Sequence, residues 1–226
     1  MKILSLNLTP VLLAIGIGLS GCQTMNPYTD EQQTAKATKG AAIGAAAGAV
    51  LGIVTSDSKK DRMERALVGA GIGAIAGGGV GYYMDVQEAK LRKKLRGTGV
   101  RVTRDGDHII LVMPGNITFD TDKSHVKQNF VEILDSVSEI LKEYESTMIE
   151  VAGHTDNRGS DRYNQMLSDT RAHAVADHLL RFGVQRVRID TVGYGEMYPI
   201  ATNTTQDGRQ QNRRVELTLL PYTKEG

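Results

Sequence analysis

Residues 153–171 read G-H-T-D-N-R-G-S-D-R-Y-N-Q-M-L-S-D-T-R. An apolar, strand-like run over 148–153 leads into this stretch, a polar loop carries Asp156, and a helical pattern follows with Asn164, Ser168 and Arg171. Those three stand at i, i+4 and i+7, so they share one helical face. A carboxylate at the end of a strand and a guanidinium on the next helix can hold a small zwitterion between them.

The flanking sequence supplies a fold for this stretch. The helix predicted over 163–182 turns Leu167, Ala174, Val175 and Leu179 inward and is stopped by Gly183. Upstream, residues 100–103 and 108–113 flank Arg104-Asp105-Gly106-Asp107 as a hairpin. Ser124 is a candidate cap for a helix whose apolar positions Val126, Phe130, Ile133, Leu134, Val137, Leu141 and Tyr144 keep the helical period. Downstream, residues 187–192 and 214–220 read as strands, separated by a polar loop with a Gln206-Asp207-Gly208 turn. The order of elements predicts an α/β (α+β) sandwich, a mixed four-stranded sheet with two covering helices. Roughly 120 residues are enough to bury such a core.

Thr155-Asp156, Gly159, Asn164, Leu167-Ser168, Arg171-Ala172, Val175, Gly183, Arg188, Gly193-Tyr194-Gly195, Pro199, Asn203, Gly208 and Asn212-Arg213-Arg214-Val215-Glu216 together resemble the outer membrane protein A-like peptidoglycan-binding domain. The resemblance covers about half of the chain and implies that family's C-terminal fold. It also implies a non-covalent grip on the diaminopimelate of the peptidoglycan stem peptide. On that reading Asp156 accepts from the ligand ammonium and Arg171 offers its planar fork to the carboxylate. Asn164 adds amide contacts, and the first turn of its helix presents backbone N–H groups to an anion. Phe119 and Asp120 match a pocket-lining position, and one of Arg213 and Arg214 approaches from the last strand. The bland alternative for Asp156 and Arg171 is a structural ion pair, and for Arg213 and Arg214 a solvated start to the strand.

The N-terminal half reads as machinery for placing this domain. Residues 1–21 have one early charge, Lys2, an apolar run over 10–19 and then small residues, which is the layout of a signal peptide. Leu19-Ser20-Gly21-Cys22 resembles a bacterial lipoprotein junction, implying cleavage before Cys22 and acylation of its thiol; an ordinary secreted protein with a stray cysteine is the alternative. Gln23, in place of Asp, implies export to the outer membrane by the same resemblance. Residues 22–39 form a polar tether. Within 40–84, Gly40, Gly44, Gly48 and Gly52, then Gly69, Gly73, Gly77 and Gly81, recur every four residues and predict a glycine-zipper helical hairpin able to insert in a membrane or to self-associate. A flexible Ala/Gly linker is the competing reading. Residues 85–98 predict a basic linker helix, resting on anionic head groups or simply solvated, and 99–222 hold the globular domain. The full layout is similar to the YiaD-type outer membrane lipoproteins.

Composition narrows the classes. With 27 Lys and Arg against 26 Asp and Glu, no overall field favours nucleic acid. A single cysteine excludes an internal disulfide and a cysteine-based zinc cluster, and none of the five histidines pairs at i, i+4, so no metal and no cofactor are expected. Strand alternation would put His154 on the face of Asp156, which keeps open a wall-cleaving hydrolase, although no serine or cysteine nucleophile is suitably placed. A stator-like, wall-anchored membrane component is a third reading. The expected partners are peptidoglycan, outer membrane lipid through Cys22, and a second copy through the glycine stripes.

Overall fold

The computed structural model describes residues 65–75, 79–120 and 123–223 in full, and 23–25 and 32–34 as backbone. The predicted signal peptide, Cys22, the Gly40 to Gly52 stripe and Gly77 lie outside the described residues. The chain divides into two units, residues 1–36 and 37–226. In the first, β1 (Gln23–Met25) and β2 (Gln32–Thr34) pair antiparallel.

In the second unit, runs rich in Val, Ile and Leu build one sheet from β3 (Arg101–Asp105), β4 (His108–Pro114), β5 (Thr147–His154), β6 (Ile189–Gly193) and β7 (Arg214–Pro221), in the order β3-β4-β7-β5-β6. The sheet has five strands, not four: all five strand-like runs join it, the two hairpin arms included, with Arg101 opposite Val112 through Asp105 opposite His108. Only β5 and β6 run parallel. A parallel pair needs a long crossover, and α4 (Asp161–Arg181) supplies it. Further helices are α1 (Val80–Leu95), α2 (Gly115–Thr118), α3 (Gln128–Glu143) and α5 (Gln206–Asn212).

One face of the sheet carries Ile109, Leu111, Val151, Leu217 and Leu219, all sealed from solvent. Against them α3 packs Phe130, Leu134, Val137 and Leu141, and α4 packs Ala172, Val175 and Leu179, the helical and strand periods meeting in one core. Helix α3 begins at Gln128 after Lys127, not at Ser124, since Val126 is held in an antiparallel bridge to Phe119. The buried guanidinium of Arg188 ties the end of α3 to the start of β5. It donates to the carbonyls of Leu141 (2.6 Å), Tyr144 (2.9 Å) and Thr147 (2.7 Å) and to Thr147 Oγ1 (3.0 Å). Burial pushes its pKa down to about 10, which leaves it charged at neutral pH.

Two expectations for the upstream segments need correction. The helix predicted as a solvated or membrane-resting linker is docked: Met84, Leu91 and Leu95 of α1 enter the core. Its bases meet acids of α3, Lys90 pairing with Glu143 and Lys94 with Glu139. The stripe from Gly69 to Gly81 is not one helix. Helical residues end at Gly69, Gly71 takes φ +76°, and Ile75 bridges to Thr223 before α1 starts at Val80. Leu67 and Ile72 find apolar partners in Tyr222, Met148 and Val187, which outweighs a glycine-rich helix of poor intrinsic stability. Among the described residues no helix is long and apolar enough to cross a membrane.

Helix α4 rests on the sheet at backbone contact. A β-carbon on Gly153 would overlap the carbonyl oxygen of Ser168, and one on Gly193 would overlap the backbone and side chain of Asp169. Gly153→Ala is expected to destabilise the full chain by about 1 to 3 kcal/mol in urea unfolding, because backbone, not a movable side chain, must shift. Gly73→Ala, where a β-carbon meets nothing and the backbone is not in the left-handed region, is the comparison; equal losses would show that the close approach is not what restricts Gly153.

Candidate functional site

Past His154 the chain leaves the strand, and the loop to Ser160 is fixed at both ends. Thr155 N–H donates to the Gly195 carbonyl (2.8 Å), and Ser160 Oγ caps α4 by accepting from Tyr163 N–H (3.3 Å). Between these points Gly159 takes φ +105°, a conformation that suits glycine, and Asp156 is turned inward with its side chain only 8% exposed. Its Oδ1 accepts from the Arg158 N–H (3.0 Å), and its Oδ2 pairs with Arg213 Nη1. Asn164 Nδ2 donates to the Asp156 carbonyl (3.2 Å) and to Glu196 Oε2 (2.6 Å).

Two turns further along the same helix face, Arg171 is buried. Its Nε donates to the Lys123 carbonyl (3.0 Å) and its guanidinium lies over the Phe119 ring, 5.1 Å from the centroid, a cation–π contact strengthened by exclusion of water. Asp120, exposed at the rim, pairs with Lys127 at 3.3 Å. Ser168, between Asn164 and Arg171, is a bracing residue: its hydroxyl donates to the Gln165 carbonyl (2.8 Å) and accepts from Gly195 N–H (2.9 Å).

These groups surround a cavity of about 630 Å³. Asp156, Asn164, Arg171, Phe119, Asp120 and Arg213 all line it; Arg214 does not. Arg214 opens β7, where alternation turns it to the other face of the sheet, and there it pairs with Glu216 (2.6 Å) and donates to the carbonyls of Asn212 (3.1 Å) and Tyr198 (3.2 Å). The salt bridge that Asp156 makes here is to Arg213. The cavity also has lining residues that the sequence reading passed over, among them Arg158, Tyr163, Arg209 and Gln210. Gln206, Arg209, Gln210 and Arg213 stand at i, i+3, i+4 and i+7, the signature of one helical face. Asp207-Gly208 favours a turn by local propensity, which masks that face in the sequence.

His154 lies elsewhere. The strand ends at this residue, so alternation does not carry on to Asp156, and the imidazole is buried and stacked on Tyr194 at 5.4 Å. Neither ring nitrogen has a hydrogen-bond partner among the described residues. Burial, reinforced by the charge of Arg214, holds its pKa well below the usual histidine value.

The fold and cavity define an α/β ligand-binding domain of a recognisable kind. Residues 118–213 match the model of the OmpA family, and residues 1–85 match that of the YMGG-like Gly-zipper. Along nearly its whole length the chain is similar to the probable lipoprotein YiaD of Escherichia coli (strain K12), with 50% identity over 91% of this chain and 93% of that protein. The chain belongs to the OmpA family. It is also 48% identical to outer membrane porin F of Pseudomonas aeruginosa over 45% of this chain and 29% of the porin. The peptidoglycan-binding protein ArfA of Mycobacterium tuberculosis is 42% identical over 48% of this chain and 33% of ArfA. Among solved structures, the cell wall anchor of the T6SS from Pseudomonas aeruginosa superposes with a TM-score of 0.54 at 30% identity, over 58% of this chain and 96% of that one. A MotB-like protein from Desulfovibrio vulgaris, 23% identical with a TM-score of 0.55 over 65% of this chain and 96% of that one, shares the fold.

The buried histidine gives a pH signature. In the unfolded chain His154 takes up a proton near pH 6.5, whereas the folded chain resists protonation until much lower pH. Its contribution is therefore intact above about pH 6.5 and is lost as the pH falls below it, by up to about 1.4 kcal/mol per pH unit. Urea unfolding between pH 7.5 and 5 is expected to show this loss, and His154→Phe to flatten it; an unaltered slope in the variant would assign the dependence to other groups.

Proposed function

We propose that this chain is an outer-membrane lipoprotein that grips peptidoglycan without covalent chemistry and so ties the membrane to the wall. The observation that carries the reading is a buried carboxylate, Asp156, and a buried guanidinium, Arg171, lining one cavity of about 630 Å³. An α-amino acid end, one ammonium beside one carboxylate, is the ligand chemistry these two charges complement, and the diaminopimelate side chain of the stem peptide presents such an end. The ammonium replaces the Arg213 guanidinium at Asp156, Arg171 takes the carboxylate, and Asn164 steadies the loop between them.

Support also comes from outside the site. ArfA is a peptidoglycan-binding protein, the structural relative from Pseudomonas aeruginosa is a cell wall anchor, and YiaD is a probable lipoprotein. On this reading Cys22 carries acyl chains in the outer membrane, two or more of which anchor stably where one is marginal. The domain then faces the periplasm, and the Gly40 to Gly52 stripe is the proposed surface for self-association. The proposed role is binding, not catalysis: a sealed His154 stacked on Tyr194 is out of reach of a bond in the cavity.

Cosedimentation of the full chain with purified sacculi tests the site. Asp156→Ala and Arg171→Ala are each expected to lower the pelleted fraction at least tenfold, the loss of one charge-assisted contact, while Arg171→Lys retains part of it. Unchanged pelleting of both alanine variants would remove this assignment.

A further inference from the structure

The charges around the cavity do not balance for a simple zwitterion. Among the described residues, four guanidiniums line it, those of Arg158, Arg171, Arg209 and Arg213, against the carboxylates of Asp120 and Asp156. Asp156 is paired with Arg213, and Asp120 with Lys127, which lies outside the lining. Arg209 is held by carbonyls alone: its Nη1 donates to those of Asn203 (2.8 Å) and Thr204 (3.2 Å), which fixes its position without neutralising it. The exposed side chain of Arg158 makes no hydrogen bond or ion pair with the described residues. A ligand of zero net charge would leave this wall positive.

We infer that Arg158 and Arg209 form a second subsite, for a further carboxylate on the same ligand. The ligand class is thus an anionic peptide in which the residue next to the diamino acid keeps its α-carboxylate free, and amidation of that carboxylate is the modification the subsite discriminates against. This rests on the peptidoglycan reading and adds the stem-peptide preference to it. Arg209 is preorganised by its two carbonyl contacts and so loses little side-chain freedom on binding. Arg158 sits on the loop that also supplies Asp156, so the two subsites share one rigid support.

The test uses the full chain in detergent micelles and two fluorescently labelled tripeptides, L-Ala-γ-D-Glu-meso-diaminopimelate with the glutamate α-carboxylate free or as its amide, read by anisotropy. The wild type is expected to bind the free acid about three- to tenfold more tightly, the range for partly exposed charge-assisted pairs. In the Arg158→Gln/Arg209→Gln variant the acid falls to the level of the amide while the amide is unchanged. Arg158→Gln alone removes no internal contact and gives part of the same loss. Asp156→Ala weakens both peptides alike, so its result reports on the zwitterion site and not on this one. A wild type that does not distinguish the peptides, or a double variant that weakens both equally, overturns the second subsite while leaving the first. Failure of the wild type to bind either peptide overturns both.

Discussion

No side chain fits between Gly153 and the Ser168 carbonyl, and the site follows from that contact. Helix α4 lies against β5 at Gly153 and against β6 at Gly193, closer than helices usually approach a sheet. The first half of α4 is thereby brought over the end of β5, where the chain has just turned to present Asp156. A helix held at ordinary distance by β-carbons would carry Asn164 and Arg171 away from the loop. Ser168, whose backbone makes the close approach, uses its hydroxyl to fix Gly195, and Gly195 in turn receives the Thr155 N–H. One steric constraint thus fixes the helix, the loop and the turn after β6 together.

The arginines show how backbone placement assigns different work to identical side chains. Arg188 is spent on carbonyls inside the fold; Arg214 is spent on Glu216 behind the sheet. Arg213, one residue earlier, is still outside the strand and reaches Asp156 across the cavity. Removing Arg188 would take a donor from three carbonyls in a dry environment, of which that of Tyr144 keeps the Thr147 hydroxyl, and this costs more than a single hydrogen bond contributes. The same residue type at the cavity rim, Arg158, has no such structural obligation.

Much of this was legible in the sequence, for reasons that can be stated. The strand into Gly153, the face shared by Asn164, Ser168 and Arg171, and the stop at Gly183 are local patterns, and each survives folding because packing agrees with it. Helix α5 was missed because Gly208 reads as a turn, whereas it is a glycine because a β-carbon there would overlap the Thr202 carbonyl; the requirement is tertiary. Docking of α1 was missed for a similar reason: Lys90 and Lys94 read as a solvated face until α3 supplies Glu143 and Glu139. The periodic glycines over 69–81 misled in the opposite direction. A four-residue repeat describes a helix only if nothing better is available, and Tyr222 and Met148 offer Leu67 and Ile72 a better burial. Separating Arg213 from Arg214 required knowing where β7 begins.

Asp156 is satisfied within the fold, and this bears on how the proposed wall tether would work. A buried carboxylate without a partner would be expensive to maintain, but Asp156 has Arg213 and a backbone N–H. In the proposed binding step an ammonium takes the place of a guanidinium, so one ion pair is exchanged for another and the contact contributes less than a newly made pair would, although without Asp156 the ammonium would face Arg213 alone. The proposed affinity of each domain for one stem peptide is then modest. With the proposed lipid anchor no more is needed: confinement between membrane and wall would raise the effective concentration of the ligand, and exchange of one pair for another would let each grip release as the wall is remodelled.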